Sequence, residues 1–182
     1  MAFVDTARIK VKAGDGGKGC ESHYRDLWMR YPRADGGDGG DGGSVIFVSD
    51  PHMQTLLDYR FQQHYQGKRG GHGSSKGAAG KDGDDCVLRV PVGTVLWDDG
   101  TGLLIRDLTK PGEKVVVAKG GKGGIGNQRR KTVVPPTQGE EKVIRLELKI
   151  IADVGIVGLP NAGKSTLITS ISKVRSKIAP YP

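Results

Sequence analysis

The chain has 182 residues, slightly more than one domain of typical size, which is about 150 residues. Glycine accounts for 30 of these residues, more than twice its average share of about 7%. Because glycine adds no side chain to a core and loses the most conformational entropy on folding, this composition excludes a plain helical bundle. Hydrophobic residues make up 36% of the chain, which is still enough for a folded protein with a core of Val, Ile and Leu.

The charge and the cysteines indicate the kind of partner and compartment. The net charge is +8 and the sequence pI is about 9.5, which favours polyanionic partners such as nucleic acid or nucleotides. Cys20 and Cys86 form no CxxC pair, so we expect reduced thiols. Four scattered histidines have no metal-ligand spacing. No apolar run is long enough to cross a membrane. We therefore expect a cytoplasmic monomer with no membrane partner, or, alternatively, a protein of the mitochondrial or plastid matrix.

Residues 1–150 form the first predicted domain, which is mainly β. Short alternating runs predict strands at Arg8–Lys12, Ser44–Val48, Cys86–Val90, Lys114–Ala118 and Lys142–Ile150. In the last run, Ile144, Leu146, Leu148 and Ile150 share one face, as the period of two in a half-buried strand requires. Within this domain, residues 54–66 are the one stretch predicted to hold a helix.

Four glycine tracts lie between these strands, at residues 14–19, 35–43, 67–83 and 120–126. The second tract repeats the triplet Asp-Gly-Gly three times, and a period of three is that of the left-handed polyproline II helix, which makes no internal hydrogen bonds. Such helices can pack side by side and bond to one another where side chains are missing at the contacts. The alternative is a flexible linker, but Asp, Lys and Ile in place of Ser and Gln favour ordered structure.

A phosphate-binding loop is the strongest motif in the chain. The apolar run 152–157 predicts a buried strand and leads into Gly158-Leu159-Pro160-Asn161-Ala162-Gly163-Lys164-Ser165, which matches GxxxxGK[ST]. Residues 166–174 then have the apolar spacing of an amphipathic helix. The strand, loop and helix that the motif requires are therefore all predicted.

The residue types of the loop predict how it holds a nucleotide. Gly158 and Gly163 let the loop curl so that its N–H groups point at phosphate oxygens. Lys164 is expected to bridge the β and γ phosphates, Ser165 to hold Mg²⁺ through its hydroxyl, and Thr166 to donate to the α phosphate. The predicted nucleotide site is thus Gly158, Leu159, Pro160, Asn161, Ala162, Gly163, Lys164, Ser165 and Thr166.

Further short motifs accompany the tracts and the loop. They are residues 72–75 (HGSS), 90–94 (VPVGT), 119–127 (KGGKGGIGN), 146–149 (LELK) and 152–155 (ADVG). With these motifs the chain resembles the Obg family of GTPases over essentially its whole length. The resemblance implies an Obg fold at residues 1–150, which is a glycine-rich polyproline II bundle on a β barrel. Residues 151–182 would then be the first strand, phosphate loop and helix of an α/β GTPase domain.

The resemblance also implies a function. The family's members are GTP-binding and GTP-hydrolysing switches that associate with the large ribosomal subunit in its late assembly, so the expected ligands are GTP or GDP with Mg²⁺. The family's switch threonine, DxPG segment and guanine-reading NKxD segment are expected after Pro182. Guanine specificity therefore comes from the resemblance, and the 182 residues alone are expected to be an inactive part of a longer protein.

The chain departs from the family pattern after its first glycine tract. The family has a Ser-Phe-Arg-Arg type of segment where this chain has Glu21–Asp26, and the following Trp28–Pro32 is less basic than the resemblance implies.

Basic residues beside the tracts are the candidate RNA contacts. Small-residue loops that carry Lys and Arg can approach a folded RNA closely and neutralise its phosphates, and we expect these residues at loop tips; an ordinary solvated surface is the alternative. The set is Lys68, Arg69, Lys76, Lys81, Lys119, Lys122, Arg129, Arg130 and Lys131.

Asn161 predicts a K⁺ site. In GTPases of this kind with Asn at this loop position and a hydrophobic residue in place of the catalytic Gln, a monovalent cation can supply charge to the transition state. The alternative is an Asn that only shapes the loop. Two other functions stay open at this point: an RNA-binding assembly scaffold that needs no nucleotide, and an ATP-dependent P-loop protein.

Overall fold

The computed structural model describes residues 4–128 and 132–149, together with residues 157 and 164. The chain divides into two compact units, Met1–Lys149 and Ile150–Pro182. The strands and the short helix described here all lie in the first unit, which is mainly β as the sequence predicts. In the part of the chain that the structure describes, no helix is long and apolar enough to cross a membrane.

The elements alternate along the chain with long glycine-rich segments. They are β1 (Thr6–Lys12), β2 (His23–Tyr24), β3 (Arg33–Ala34), β4 (Val45–Asp50), α1 (Leu57–Phe61), β5 (His64–Gln66), β6 (Cys86–Pro91), β7 (Thr94–Asp98), β8 (Leu104–Leu108), β9 (Lys114–Ala118) and β10 (Glu141–Leu148). The five predicted strands are confirmed as β1, β4, β6, β9 and β10, with ends within two residues of the predicted ones. The alternation pattern missed β2, β3, β5, β7 and β8, all of which are five residues long or shorter.

Two sheets share one core. A five-stranded sheet has the order β5-β1-β10-β7-β8, and a three-stranded sheet has the order β6-β4-β9. Ile9 of β1 lies opposite Ile144 of β10, and both belong to a buried cluster that also contains Phe47 of β4 and Val90 of β6. Because one cluster contains side chains from both sheets, the sheets hold together mainly by apolar burial.

Strand β10 has the alternation that the sequence predicts. Ile144 and Leu146 are fully buried, whereas Arg145 and Glu147 are exposed. The strand lies in the middle of its sheet, paired with β1 on one side and β7 on the other. This position gives its apolar face to the core and leaves its charged face to solvent.

The predicted helix at residues 54–66 is only partly correct. Helix α1 covers Leu57–Phe61, and residues 64–66 instead form β5, which pairs in parallel with β1. The Lys10 N–H donates to the Gln63 carbonyl at 2.7 Å, so the chain extends here to pair with the edge of β1. Tertiary pairing therefore overrides a weak helical preference.

The glycine tracts form an ordered bundle, which we call the glycine bundle. Its six extended segments are residues 13–20, 35–43, 67–74, 77–84, 119–128 and 134–140. Backbone hydrogen bonds join neighbouring segments at every third residue: Gly14, Gly17 and Cys20 donate to the carbonyls of Gly43, Gly40 and Gly37 at 2.8, 2.8 and 2.9 Å. This spacing is the three-residue period of the polyproline II helix. Segments 13–20 and 35–43 are central, since each bonds to four other segments.

Close approach of backbones explains the glycines of the bundle. A Cβ built on Gly17 would lie 1.8 Å from the Gly71 carbonyl oxygen, and one on Gly120 would lie 1.8 Å from that of Gly42. Among the glycines of residues 4–128 and 132–149, a positive φ occurs at Gly77, Gly93, Gly102 and Gly112. The bundle glycines other than Gly77 are therefore required by packing and not by an unusual backbone angle.

The aspartates of the Asp-Gly-Gly repeat have a structural role. The side chains of Asp38 and Asp41 accept the N–H groups of Gly126 and Gly123 at 2.8 and 2.7 Å. Asp15 accepts the Gly139 N–H in the same way, at 3.0 Å. An unpaired backbone N–H inside a packed bundle costs folding free energy. The Asp at every third position of the repeat avoids this cost by accepting a hydrogen bond from a neighbouring segment.

Candidate functional site

The predicted phosphate loop falls almost wholly outside the described residues. Gly158, Leu159, Pro160, Asn161, Ala162, Gly163, Ser165 and Thr166 are among those not described. Val157 is exposed, and Lys164 is half-buried with helical backbone. A helical Lys164 agrees with the helix that the motif requires after its loop. The roles of the loop residues stay predictions.

The candidate RNA contacts in the described residues are all at the surface. Lys68, Arg69, Lys76, Lys81, Lys119 and Lys122 are exposed, and their backbones belong to the glycine bundle or to its turns. Arg129, Arg130 and Lys131 lie outside the described residues. The segments that carry these cations are fixed by backbone hydrogen bonds to their neighbours. Cations held at fixed places on a surface suit contact with a polyanion.

Among the cations that the structure describes, Lys76 lies at an expected loop tip, whereas Lys119 and Lys122 do not. Lys76 lies in the turn between segments 67–74 and 77–84, at the end of the bundle away from the sheets. The carbonyl of Lys119 accepts from Glu140 at 3.0 Å, beside β9 and β10, and that of Lys122 accepts from Thr137 at 3.0 Å. Lys119 and Lys122 therefore lie along the side of the bundle, where the repeat places residues with side chains at the outer positions.

Some of the cations are partly neutralised by neighbours. Lys68 Nζ lies 2.8 Å from an Asp84 carboxylate oxygen, and Lys81 Nζ lies 4.0 Å from the other one. The hydrogen bond from Lys68 lowers the pKa of Asp84 and raises that of Lys68. Such exposed pairs hold their partners weakly, so both lysines can still exchange Asp84 for a phosphate.

Two features of the far end of the bundle were missed from the sequence. Asn127 is 4% exposed; its Oδ1 accepts the Gly36 N–H at 2.8 Å and its Nδ2 donates to the Ser22 carbonyl at 3.0 Å. Next to it, β2 and β3 pair as a hairpin whose loop carries exposed Leu27, Trp28 and Tyr31. The signal that could have found the hairpin is an apolar and aromatic run between two glycine tracts.

The described residues offer no competing metal centre. Within residues 4–128 and 132–149, no group of three or more His, Cys, Asp or Glu side chains could hold a metal ion. The aspartates of the repeat accept backbone N–H groups instead.

These observations define a class of protein: a glycine-rich bundle on β-sheets, followed in sequence by a phosphate-binding loop. The family model described as GTP1/OBG matches residues 4–150, and the model described as 50S ribosome-binding GTPase matches residues 153–182. The chain belongs to the GTP1/OBG family.

Individual relatives agree with this assignment. The chain is 52% identical to a GTPase Obg of Sulfurihydrogenibium sp. over 99% of this chain and 54% of the relative. It is 52% identical to a GTPase Obg of Caldanaerobacter subterraneus over 100% of this chain and 45% of the relative. It is 50% identical to a GTPase Obg of Myxococcus xanthus over 100% of this chain and 39% of the relative. The chain thus spans about half the length of the curated relatives it matches.

Proposed function

We propose that this chain is part of a GTP-binding, GTP-hydrolysing switch that associates with the large ribosomal subunit and acts in its late assembly. The observation that carries the proposal is the union, in one chain, of the ordered glycine bundle with a complete GxxxxGK[ST] motif. Neither the bundle nor the motif is sufficient alone to assign the function. A bundle with exposed cations suits RNA, and a phosphate loop suits a nucleoside triphosphate.

The loop residues would bind and orient the nucleotide. Backbone N–H groups around Gly158 and Gly163 would face the phosphates, and Lys164 would contact the β and γ phosphates as a point charge. Thr166 would donate to the α phosphate. Catalysis by such a loop consists of positioning and charge stabilisation while a water molecule attacks the γ phosphate in line.

Mg²⁺ fits the donors that the sequence provides. The backbone is helical at Lys164, which agrees with a helix that would present the hydroxyl of the next residue, Ser165. Mg²⁺ binds oxygen ligands, and a hydroxyl oxygen is one of them. Ser165 would hold the ion. When bound, Mg²⁺ supplies positive charge to the phosphate oxygens.

The glycine bundle would contact ribosomal RNA through its exposed cations. Lys76, Lys119 and Lys122 are exposed, and the bundle has little side-chain bulk to hold its backbone away from a folded RNA. A nucleotide-dependent change in the following domain would then control how the bundle engages the large subunit. Binding of this kind weakens steeply with salt because it depends on counterion release.

We also propose a reducing aqueous compartment, the cytoplasm, with the mitochondrial or plastid matrix as the alternative. Cys20 and Cys86 are both free thiols, which suits such a compartment. Burial raises the pKa of the Cys86 thiol, so this cysteine is expected to be unreactive at neutral pH.

Nucleotide competition tests the proposed activity. Labelled GTP bound to the full-length gene product should be displaced by GTP and GDP but not by ATP, and Lys164→Ala should weaken binding by about tenfold or more. Lys142→Ala, a change on β10, serves as the control. Displacement by ATP as effective as by GTP would support an ATP-dependent protein instead. Ribosome binding that persists unchanged without any nucleotide binding would support a scaffold.

A separate measurement tests the role of Asn161. If K⁺ binds beside this residue and supplies charge to the transition state, GTP hydrolysis by the full-length gene product should be faster in K⁺ than in Na⁺. Asn161→Ala should abolish that difference. Equal rates in the two salts would show that Asn161 only shapes the loop.

A further inference from the structure

The hairpin at residues 21–34 lies at the far end of the glycine bundle. Segment 13–20 leads from β1 to this hairpin, and segment 35–43 returns from it to β4. Eight residues of polyproline II backbone span about 25 Å, so the hairpin lies about that far beyond the end of β1. The hairpin therefore protrudes at the end of the bundle, away from the sheets.

The base of the hairpin is firmly held. Ser22 Oγ donates to Asp35 Oδ1 at 2.6 Å, and the Asp35 N–H donates to the Ser22 carbonyl at 3.0 Å. Asn127, which is buried, bonds to the same Ser22 carbonyl. Two short strands, β2 and β3, then carry the chain outward. The loop that follows starts from a fixed point, so its side chains are presented in a limited set of directions.

The loop itself presents bare apolar side chains. Leu27 is 97% exposed, Trp28 is 93% exposed and Tyr31 is 72% exposed. The Leu27 N–H donates to Asp26 Oδ1 at 2.7 Å and the Met29 N–H donates to the Asp26 carbonyl at 3.0 Å, which shapes a turn around them. A Trp at 93% exposure adds almost nothing to the stability of the fold, which points to a role in binding.

Arginines accompany these rings in the hairpin sequence. Residues 21–34 contain Arg25, Arg30 and Arg33 against Glu21 and Asp26, a net charge of +1. The Arg30 guanidinium carbon lies 5.5 Å from the centre of the Tyr31 ring. Rings with flat exposed faces beside guanidinium groups match the chemistry of unpaired nucleotides, where bases stack on the rings and phosphates pair with the arginines.

We propose that the tip of this hairpin is a stacking site for unpaired RNA bases, with Trp28 and Tyr31 as the stacking rings and Arg25, Arg30 and Arg33 as the phosphate contacts. The proposal rests on the proposed function, because it takes RNA to be the partner of the bundle. It adds that the tip binds unpaired RNA bases selectively. The lysines along the sides of the bundle would contact RNA phosphates in both single-stranded and double-stranded regions.

The two tryptophans of the chain make a direct test. Trp97 lies in β7, where its Nε1 donates to Glu147 at 3.2 Å, so Trp97→Phe leaves Trp28 as the sole tryptophan. The probes are a single-stranded 12-nucleotide oligoadenylate, the same strand paired with oligouridylate, and vesicles of phosphatidylglycerol. In Trp97→Phe, the single strand should quench Trp28 emission and the duplex should not. In Trp28→Phe, emission from Trp97 should not change with either RNA.

Affinity gives the second readout. Trp28→Ala should weaken binding of the single strand by about tenfold, with an unfolding curve that coincides with that of the parent chain. Leu27→Ala is the matched control, since Leu27 is equally exposed but has no aromatic face, and it should change affinity by less than twofold.

The outcomes that overturn the proposal are distinct. Equal quenching of Trp28 by duplex and single strand, or unchanged affinity of Trp28→Ala, would remove the stacking role. A blue shift of Trp28 with vesicles and no response to RNA would assign the tip to a lipid surface. If Trp28→Ala binds normally while Lys119→Glu with Lys122→Glu binds weakly, RNA contact by the bundle stands and the stacking proposal fails.

Discussion

Gly17 shows how a single missing side chain determines the structure. Its N–H donates to the Gly40 carbonyl at 2.8 Å, while the Gly71 carbonyl oxygen occupies the place that a Cβ would take. Gly17 was predictable as part of an ordered tract, because a period of three with glycine at the contacts fits packed polyproline II segments. The partners of each glycine were not predictable, since the sequence repeats and many pairings of the tracts satisfy the same period.

Gly17→Ala should therefore destabilise the domain severely. The added Cβ would meet backbone atoms on a neighbouring segment, and overpacking of this kind costs about 3 kcal/mol or more. Gly100→Ala is the matched control, because its Cβ would meet nothing nearer than Asp98 Oδ1 at 3.4 Å, and we expect a change within about 1 kcal/mol. Urea unfolding followed by circular dichroism measures both; equal stability of the two variants would contradict close packing at Gly17.

Asp35 links the hairpin to the bundle through its charge. The hydrogen bond from the Ser22 hydroxyl is the main cause that lowers the pKa of Asp35 below its ordinary value of 3.8. A carboxylate with a lowered pKa stabilises the fold above the pKa of the unfolded chain, and this contribution is lost as the pH falls through the folded pKa. The hairpin base should therefore weaken in acid below pH 3.8.

Ser22→Ala tests this link directly. It removes the hydroxyl donor, so the pKa of Asp35 should rise towards its ordinary value, as followed by the carboxyl carbon signal in an NMR titration. Ser22→Thr keeps a hydroxyl and should keep the lowered pKa. An unchanged titration of Asp35 in Ser22→Ala would show that another group controls the charge.

Strand β10 was the most predictable element because of its eight-residue alternation. Its length, its period and its β-branched and leucine residues all agree with one half-buried strand. Strand β7 was missed because Thr94–Leu96 is buried on consecutive positions, and strand β8 was missed because its sequence LIRDL does not alternate apolar and polar residues. Strand β5 was missed since its three residues extend only through pairing with β1. These segments form strands because they pair with distant strands, and a local sequence pattern does not encode that pairing.

A pair of leucine substitutions tests the element assignment. Leu146 on β10 is fully buried, whereas Leu103 in the turn between β7 and β8 is 68% exposed. Leu146→Ala should cost about 2–5 kcal/mol of unfolding free energy, and Leu103→Ala should change it by less than about 0.5 kcal/mol. Thermal and urea unfolding provide the values. Similar losses at the two positions would contradict the placement of β10 over the core.

At the scale of the whole molecule, the chain joins a glycine-rich β domain to a phosphate-loop sequence. The class of both parts followed from the sequence, because GxxxxGK[ST] and the triplet repeat each have a physical requirement for their residues. The arrangement of the cations did not follow, since their places depend on how six segments are ordered around one another. The exposed hairpin was missed for the same reason, because whether Trp28 is buried or exposed depends on how the segments of the bundle pack.

Binding of the chain to purified large ribosomal subunits, measured by co-sedimentation over a series of salt concentrations, tests the central claim most directly. Replacement of Arg129, Arg130 and Lys131 by Glu should weaken binding by at least about tenfold and flatten its salt dependence. The control replaces Arg60, Lys110 and Lys114 by Glu. These three residues are exposed and lie outside the glycine bundle, so the control should leave binding within twofold of the parent. Unchanged binding in the first variant, or an equal loss in both, would contradict RNA contact by the basic residues beside the glycine tracts.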